Sequence, residues 1–178
     1  EPTELAGLSF VVVPEQSTRN AMIETGDAHV IQVGASDVEL VEGLDNVDLV
    51  KVNGTRMDYV GFNVQKDQFK DVKVRQAISM AIKKDSIVDN VLMGQGVPAV
   101  GPLAPTVVGN SQELKPLGYD VEKAKALLAE AGFPEGFTTT LWVNDGNKER
   151  ADIAEYIQAD LAEIGIKVEI EIVEWGAF

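Results

Sequence analysis

The chain has 178 residues and contains no cysteine; its 15 basic and 29 acidic side chains give a formal net charge of −14. The acidic balance argues against nucleic-acid binding, which requires a cationic surface, and against binding to an anionic membrane surface. The lack of cysteine excludes disulfides, thiolate metal sites and cysteine nucleophiles.

Strands and helices are predicted to alternate in the first third of the chain. The β-branched run at residues 10–13 predicts a buried strand, and residues 29–33 predict the next one. Residues 16–25 predict the helix between them, ending at a cap glycine. Ser36 and Glu39 have the spacing of a capping box, which would open a short second helix. These elements indicate a small α/β layer.

A β-hairpin is predicted next. Residues 47–52 and 57–64 both read as strands, and Asn53-Gly54 between them is a strong two-residue turn pattern.

Three capped helices are predicted in the middle of the chain, with Asp71, Asp85 and Asp120 as their N-caps. Each has apolar residues at three- and four-residue spacing, which predicts one buried face. Residues 94–118, rich in Gly and Pro, separate the second helix from the third and predict a long loop.

A strand, a helix and a strand are predicted at the end. Residues 138–143 read as a strand, residues 149–164 as an amphipathic helix, and residues 166–173 as a strand with one buried face. Glu169 and Glu171 fall on the other face of that last strand and are interpreted as solvated.

The sequence resembles the solute-binding proteins of peptide and nickel ABC importers. Four segments in order carry the resemblance: YVGFNVQ from Tyr59, DVKVRQAISMAI from Asp71, YDVEKAKALLAEAGF from Tyr119 and QADLAEIGIKVEI from Gln158. His29, Lys83 and residues 66–68 depart from the family pattern, at positions that read as scaffold or surface.

The resemblance implies an α/β fold, a fragment of the bilobal type II periplasmic-binding-protein architecture with mixed sheets and flanking helices. It places the end of a first lobe at residues 1–58, the inter-lobe crossover at 59–64 and the first part of a second lobe at 65–178. Because the chain lacks an initial Met and stops just after a strand, both ends are expected to be cut.

The resemblance also implies extracytoplasmic capture of a short peptide and its delivery to an ABC permease, without cofactor, metal or catalytic residue. A lipid anchor would lie on a segment absent from this sequence. The alternatives are a nickel chelate or a sugar as ligand, a sensor of the same fold, and a hydrolase that uses acidic residues.

Two groups of candidate ligand contacts follow from the resemblance. The first lies at the crossover and the second in the turn after residues 138–143; the members are Tyr59, Phe62, Asn63, Asn144, Asp145 and Asn147. Aromatic rings offer contact area and amides can pair with a peptide main chain. Trp142 reads either as a stacking wall or as core.

Two further chemistries are weighed against simpler interpretations. His29 is the only histidine, so a Ser-His-Asp triad would need it, although a strand histidine is more often a satisfied structural residue. Residues 144–149 faintly resemble a calcium loop, but a polar turn that caps a helix explains them as well.

Overall fold

A computed structural model of the chain describes residues 4–111 and 113–177. Two compact units are distinguished, Glu1–Lys51 and Val52–Phe178.

The first unit is built from short helices and polar contacts. Its elements are α1 (Gln16–Thr25), a 3₁₀ helix (Ala35–Asp37) and α2 (Val38–Glu42). Asn20, which is buried on α1, accepts a hydrogen bond from Gln16 at 2.6 Å and donates one to Asp37 at 2.7 Å. Arg19 donates from Nη1 to the carbonyls of Val13 and Pro14, at 2.7 Å each. These side chains tie α1 to the segments on both sides of it.

The prediction of strands is wrong at residues 10–13, 29–33, 47–52 and 57–64. The prediction of a hairpin turn at Asn53-Gly54 is wrong as well. No strand occurs in the described residues before position 138. Phe10 and Val30 are almost fully exposed, at 88% and 89%. β-Branched composition favours a pleated, half-buried surface, but a strand also needs a hydrogen-bonded neighbour, and the described residues offer none here.

The second unit contains most of the regular structure. Its elements are α3 (Asp67–Lys70), α4 (Val72–Ala81), α5 (Lys84–Asn90), α6 (Val121–Glu130), β1 (Thr138–Asn144), α7 (Lys148–Ala162) and β2 (Lys167–Val173). The loop predicted at residues 94–118 is confirmed, since no helix or strand forms among its described residues.

The core of this unit lies where α4, α6, α7 and β2 meet. Buried residues from the predicted apolar faces line this core, among them Val74, Ala77, Ala81, Ala124, Leu128, Leu161, Ile166 and Val168. Each large aliphatic side chain buried in this way contributes about 1.5 to 3 kcal/mol of transfer free energy. The three- and four-residue spacing read from the sequence therefore located the packing face correctly.

The cap glycine predicted after residues 16–25 is confirmed at Gly26. Of the four predicted N-caps, two are confirmed and two are wrong. Asp71 accepts from the Lys73 amide at 2.8 Å, and Asp120 accepts from the Lys123 amide at 2.9 Å. Asp85 lies inside the first turn of α5, whose N-cap position is Lys83. The capping box at Ser36 does not form, because its hydroxyl donates to Asp37 and a 3₁₀ turn precedes α2.

The sheet consists of β1 and β2, which are parallel and in register from Thr138 opposite Lys167 to Asn144 opposite Val173. Helix α7 connects them. Val143 and Val168 lie on the face turned toward the core and are each 5% exposed. Both strands end at the same edge, where the chain turns into α7.

Candidate functional site

The turn after β1 is a short polar segment fixed at both ends. The amide of Asp145 donates to the carbonyl of Val173 at 2.8 Å, which extends the pairing one step beyond the strands. Gly146 has φ 75°, a left-handed conformation that glycine adopts without steric cost. Asn147 then caps α7 by accepting from the Arg150 amide at 3.0 Å. The backbone of the turn is therefore set by the strand before it and the helix after it.

An open depression of ≈350 Å³ lies beside this turn. The residues that line it come from the turn, the first residues of α7 and the end of β2: Asn144, Asp145, Gly146, Asn147, Lys148, Ala151 and Ile172. All three candidate residues predicted for this turn therefore line one depression. It lies at the carboxyl ends of parallel strands, where open α/β sheets bind their ligands.

Four charged side chains form a network at the start of α7. Arg56 pairs through Nε with Asp58 at 2.9 Å and through Nη2 with Glu149 at 2.6 Å. Arg150 pairs through Nε with Asp58 at 2.8 Å and donates from Nη1 to Oδ1 of Asn144 at 2.7 Å. The side chains of Asp58 and Glu149 are only 29% and 27% exposed. The network orients the Asn144 amide and holds residues 56–58 against the turn.

The crossover candidates occupy different environments. Tyr59 is 84% exposed, although it directly follows Asp58 of the network. Phe62 packs against the core, with its ring centroid 5.5 Å from that of Phe69. Asn63 accepts from the Gln65 amide at 3.1 Å and so stabilises the turn before α3. Tyr59 and Asn63 are therefore both exposed, whereas Phe62 is partly buried.

Trp142 is not a core residue in this structure. It is 50% exposed and has the same strand parity as Asn144, so both lie on the face of β1 opposite Val143. Glu169 and Glu171 are exposed, as predicted for a solvated strand face. The half-exposed indole and the Asn144 amide are therefore neighbours on one face.

Sequence reasoning missed Arg56, Asp58 and Arg150 as contributors to the site. The network joins residues about ninety positions apart, and nothing local in the sequence pairs them. The one available indication was the cap: with Asn147 as N-cap, residues 149 and 150 fall in the first turn of α7, next to the candidate residues. In the sequence pattern, Glu149 is only the last member of the calcium-like segment at residues 144–149.

The residues named for the alternative chemistries occupy the following surroundings. His29 is exposed and has no hydrogen bond or ion pair within the described ranges. Glu149 is engaged by Arg56. In the part of the chain that the structure describes, no three His, Cys, Asp or Glu side chains are grouped to hold a metal ion. No helix there has both the length and the apolar composition of a membrane span.

A second depression, of ≈240 Å³, lies between the start of α5 and the long loop. Its lining is mostly apolar and includes Pro98, Val100, Leu117 and Tyr119. None of the predicted site residues lines it, so the turn at residues 144–147 is the better candidate.

Comparison with known sequences finds related bacterial proteins. The family model described as "Bacterial extracellular solute-binding proteins, family 5 Middle" matches residues 1–178. Heme-binding protein A of Haemophilus influenzae is 36% identical over 99% of this chain, and the dipeptide-binding protein of Escherichia coli is 36% identical over 96% of it. The matches cover 33% of each relative, so the chain spans about a third of their length.

Solved structures confirm the predicted fold class. The periplasmic binding protein DppA of Helicobacter pylori, in complex with the peptide STSA, matches 93% of this chain with a TM-score of 0.84 and 37% identity; the match covers 32% of that protein. The oligopeptide-binding protein AppA of Bacillus subtilis, in complex with a nonapeptide, matches 93% with a TM-score of 0.77 and 35% identity, over 36% of its own chain. The chain thus has the α/β fold of a piece of a periplasmic binding protein.

Proposed function

Because this chain belongs to the family 5 bacterial extracellular solute-binding proteins, we propose that the protein containing it captures short peptides outside the cytoplasm. The bound peptide is then delivered to the membrane permease of an ABC importer. Two relatives whose names or structure titles include a peptide ligand, from Escherichia coli and Helicobacter pylori, support a peptide over other solutes.

The observation that carries the proposal is the polar depression at the carboxyl ends of β1 and β2. Its amides and its carboxylate come from a turn whose backbone is already fixed, so little conformational entropy is lost when a ligand binds. Peptide main chains offer amide donors and acceptors that Asn144 and Asn147 can pair with. Trp142 and Tyr59 offer exposed ring surface for apolar parts of the ligand.

The proposed mechanism is lobe closure about a crossover at residues 59–64, between a lobe that ends near residue 58 and a lobe that begins near residue 65. Closure would bury the ligand between the two groups of candidate residues. Tyr59, Phe62 and Asn63 contribute from the crossover, and Asn144, Asp145 and Asn147 contribute from the turn. No step requires a catalytic residue, and ATP hydrolysis belongs to other subunits.

The protein is proposed to act in the periplasm or at the cell surface. The description of its family as extracellular supports this location. Attachment through a lipid on a segment outside this sequence is part of the same proposal.

The test is to purify the whole protein that contains this chain without refolding, denature it and identify the released small molecules by mass spectrometry. Peptides of a few residues are the expected result. A metal chelate, heme or sugar would keep the receptor role but overturn the ligand. An empty protein that binds no peptide from a defined panel, and that turns over a peptide or glycoside substrate instead, would overturn the receptor role itself.

A further inference from the structure

Most of the charges around the candidate depression are paired with one another. Glu149 pairs with Arg56 at 2.6 Å, Arg150 with Asp58 at 2.8 Å, and Lys148 with Asp152 at 2.5 Å. Hydrogen bonding to Asp152 also raises the pKa of Lys148, so this amine remains charged at neutral pH. Three neutral pairs therefore surround the turn.

Asp145, which lines the depression, is not paired in this way. One of its carboxylate oxygens, Oδ1, accepts from the amide of Gly146 at 2.7 Å. The carboxylate has no ion pair with any cation in the described ranges, and the residue is exposed where it lines the depression. Its negative charge is thus directed to the site without an internal counter-charge.

Two neighbouring features also affect the electrostatic potential at the depression. Glu174 follows Val173, whose carbonyl accepts from the Asp145 amide, and Glu174 also has no ion pair among residues 4–111 and 113–177. The N-terminus of α7 contributes a partial positive charge. That end is already occupied, because Asn147 caps the Arg150 amide and Glu149 lies in the first turn. The uncompensated charge of the site is therefore negative.

We propose that Asp145 is a specificity-determining residue and that the depression selects ligands with a positive group, an ammonium or a guanidinium, at this position. The inference rests on the proposed function, because it names the class of peptide that the same site would take. A charge-assisted hydrogen bond in a site that closes over its ligand is stronger than an exposed ion pair. A ligand that makes this bond is therefore expected to bind about tenfold more tightly than an uncharged ligand of the same shape.

The test uses the whole protein and three pairs of alanine peptides. The two peptides of a pair carry lysine or norleucine at the same position, which is the first, the second or the third. Norleucine keeps the aliphatic stem of lysine and removes its charge. Binding is measured by calorimetry for the wild type, for Asp145→Asn, for Asp145→Glu and for the exposed, remote Asp89→Asn as the matched control. The asparagine oxygen can still accept from the Gly146 amide, so the turn is retained, and circular dichroism checks the fold.

The expected result is that wild type binds the lysine peptide about tenfold more tightly than its norleucine partner at one position. The preference should disappear in Asp145→Asn, persist in Asp145→Glu and Asp89→Asn, and weaken as salt is added. Equal binding of both partners by the wild type at every position, or a preference that survives Asp145→Asn, would overturn this inference alone. Failure of the wild type to bind any of these peptides, together with the release of a non-peptide ligand, would overturn the proposed function.

Discussion

Arg150 donates from Nε to Oδ1 of Asp58 at 2.8 Å, joining positions that are 92 residues apart. The same guanidinium donates to Oδ1 of Asn144 at 2.7 Å. One side chain therefore fixes both the segment that contains Asp58 and the first amide of the polar turn. The planar fork of arginine suits this arrangement, because it places several donors in fixed directions.

Replacing Arg150 should destabilise the second unit. Arg150→Ala removes the bonds to Asp58 and Asn144, and we expect the free energy of unfolding to fall by about 1 kcal/mol, because the site is only partly shielded from water. Urea titration at low and high salt measures the loss, which should shrink as salt screens the pairs. Lys125→Ala, which breaks the surface pair with Glu122, is the control and should cost clearly less. Equal losses in both variants would contradict a special role for the network.

Gly136 should tolerate no side chain. Its φ is 73°, and a Cβ added there would lie 2.0 Å from the carbonyl oxygen of Gly165. Gly136→Ala is therefore expected to cost about 3 kcal/mol or more, from the left-handed backbone and the clash together. Gly132→Ala is the matched control, with φ 91° and open space around the added carbon, and it should cost about 1 kcal/mol. Chemical denaturation of the two variants measures the difference, and similar losses would mean that Gly165 moves away at little cost.

The buried carboxylate of Asp160 should be needed for stability. It is 7% exposed and accepts from the backbone amide of Lys83 at 2.8 Å, at the junction between α4 and α5. Asp160→Ala leaves that amide without its partner, so we expect a loss of about 2 kcal/mol in urea titration. Asp160→Asn keeps an acceptor oxygen and should lose less, while the exposed Asp89→Ala should be close to neutral. An alanine variant as stable as wild type would show that water replaces the carboxylate.

The helices and the final strand–helix–strand could be predicted from the sequence, including α1 over residues 16–25, whereas the strands expected before residue 65 could not. The reason is the range of the interactions. The caps at Asp71 and Asp120 and the apolar stripe of α7 depend on residues a few positions apart. The strands expected at residues 10–13 and 57–64 depend on a neighbour that local pattern cannot supply. Within the candidate site, the polar turn is a local feature and was predicted. The Arg56 to Glu149 ion pair spans 93 positions and was not.

Lys84 should make the stability of the protein change with pH in the alkaline range. Partial burial lowers the pKa of its amine below the usual 10.5, although nearby Asp85 acts in the opposite direction. In the pH window between that lowered pKa and 10.5, the unfolded chain binds more protons than the folded chain, so stability rises with pH. We therefore expect wild type to gain stability relative to Lys84→Met as the pH is raised through this window. Urea titrations at a series of pH values test this, and a difference that stays constant would contradict it.

Substitutions of Tyr59 and Phe62 should separate effects on ligand binding from effects on stability, because the two rings lie three positions apart in different environments. Tyr59 is 84% exposed, so Tyr59→Ala should change the free energy of unfolding by less than about 0.5 kcal/mol. Phe62 packs on the core beside Phe69, so Phe62→Ala should cost about 2 kcal/mol, less than a fully buried phenylalanine would. Urea titration of the chain measures both values.

Binding by the whole protein then assigns the roles. If Tyr59 contacts the peptide, Tyr59→Ala weakens binding by about tenfold without loss of stability, since aromatic contacts at the centre of a site are often worth more than 1 kcal/mol. Tyr59→Phe keeps the ring and should retain most of the affinity. Calorimetry with a peptide identified in the wild-type protein makes the comparison. Unchanged affinity in Tyr59→Ala would remove Tyr59 from the site and leave Phe62, Asn63 and the turn at residues 144–147 as candidates.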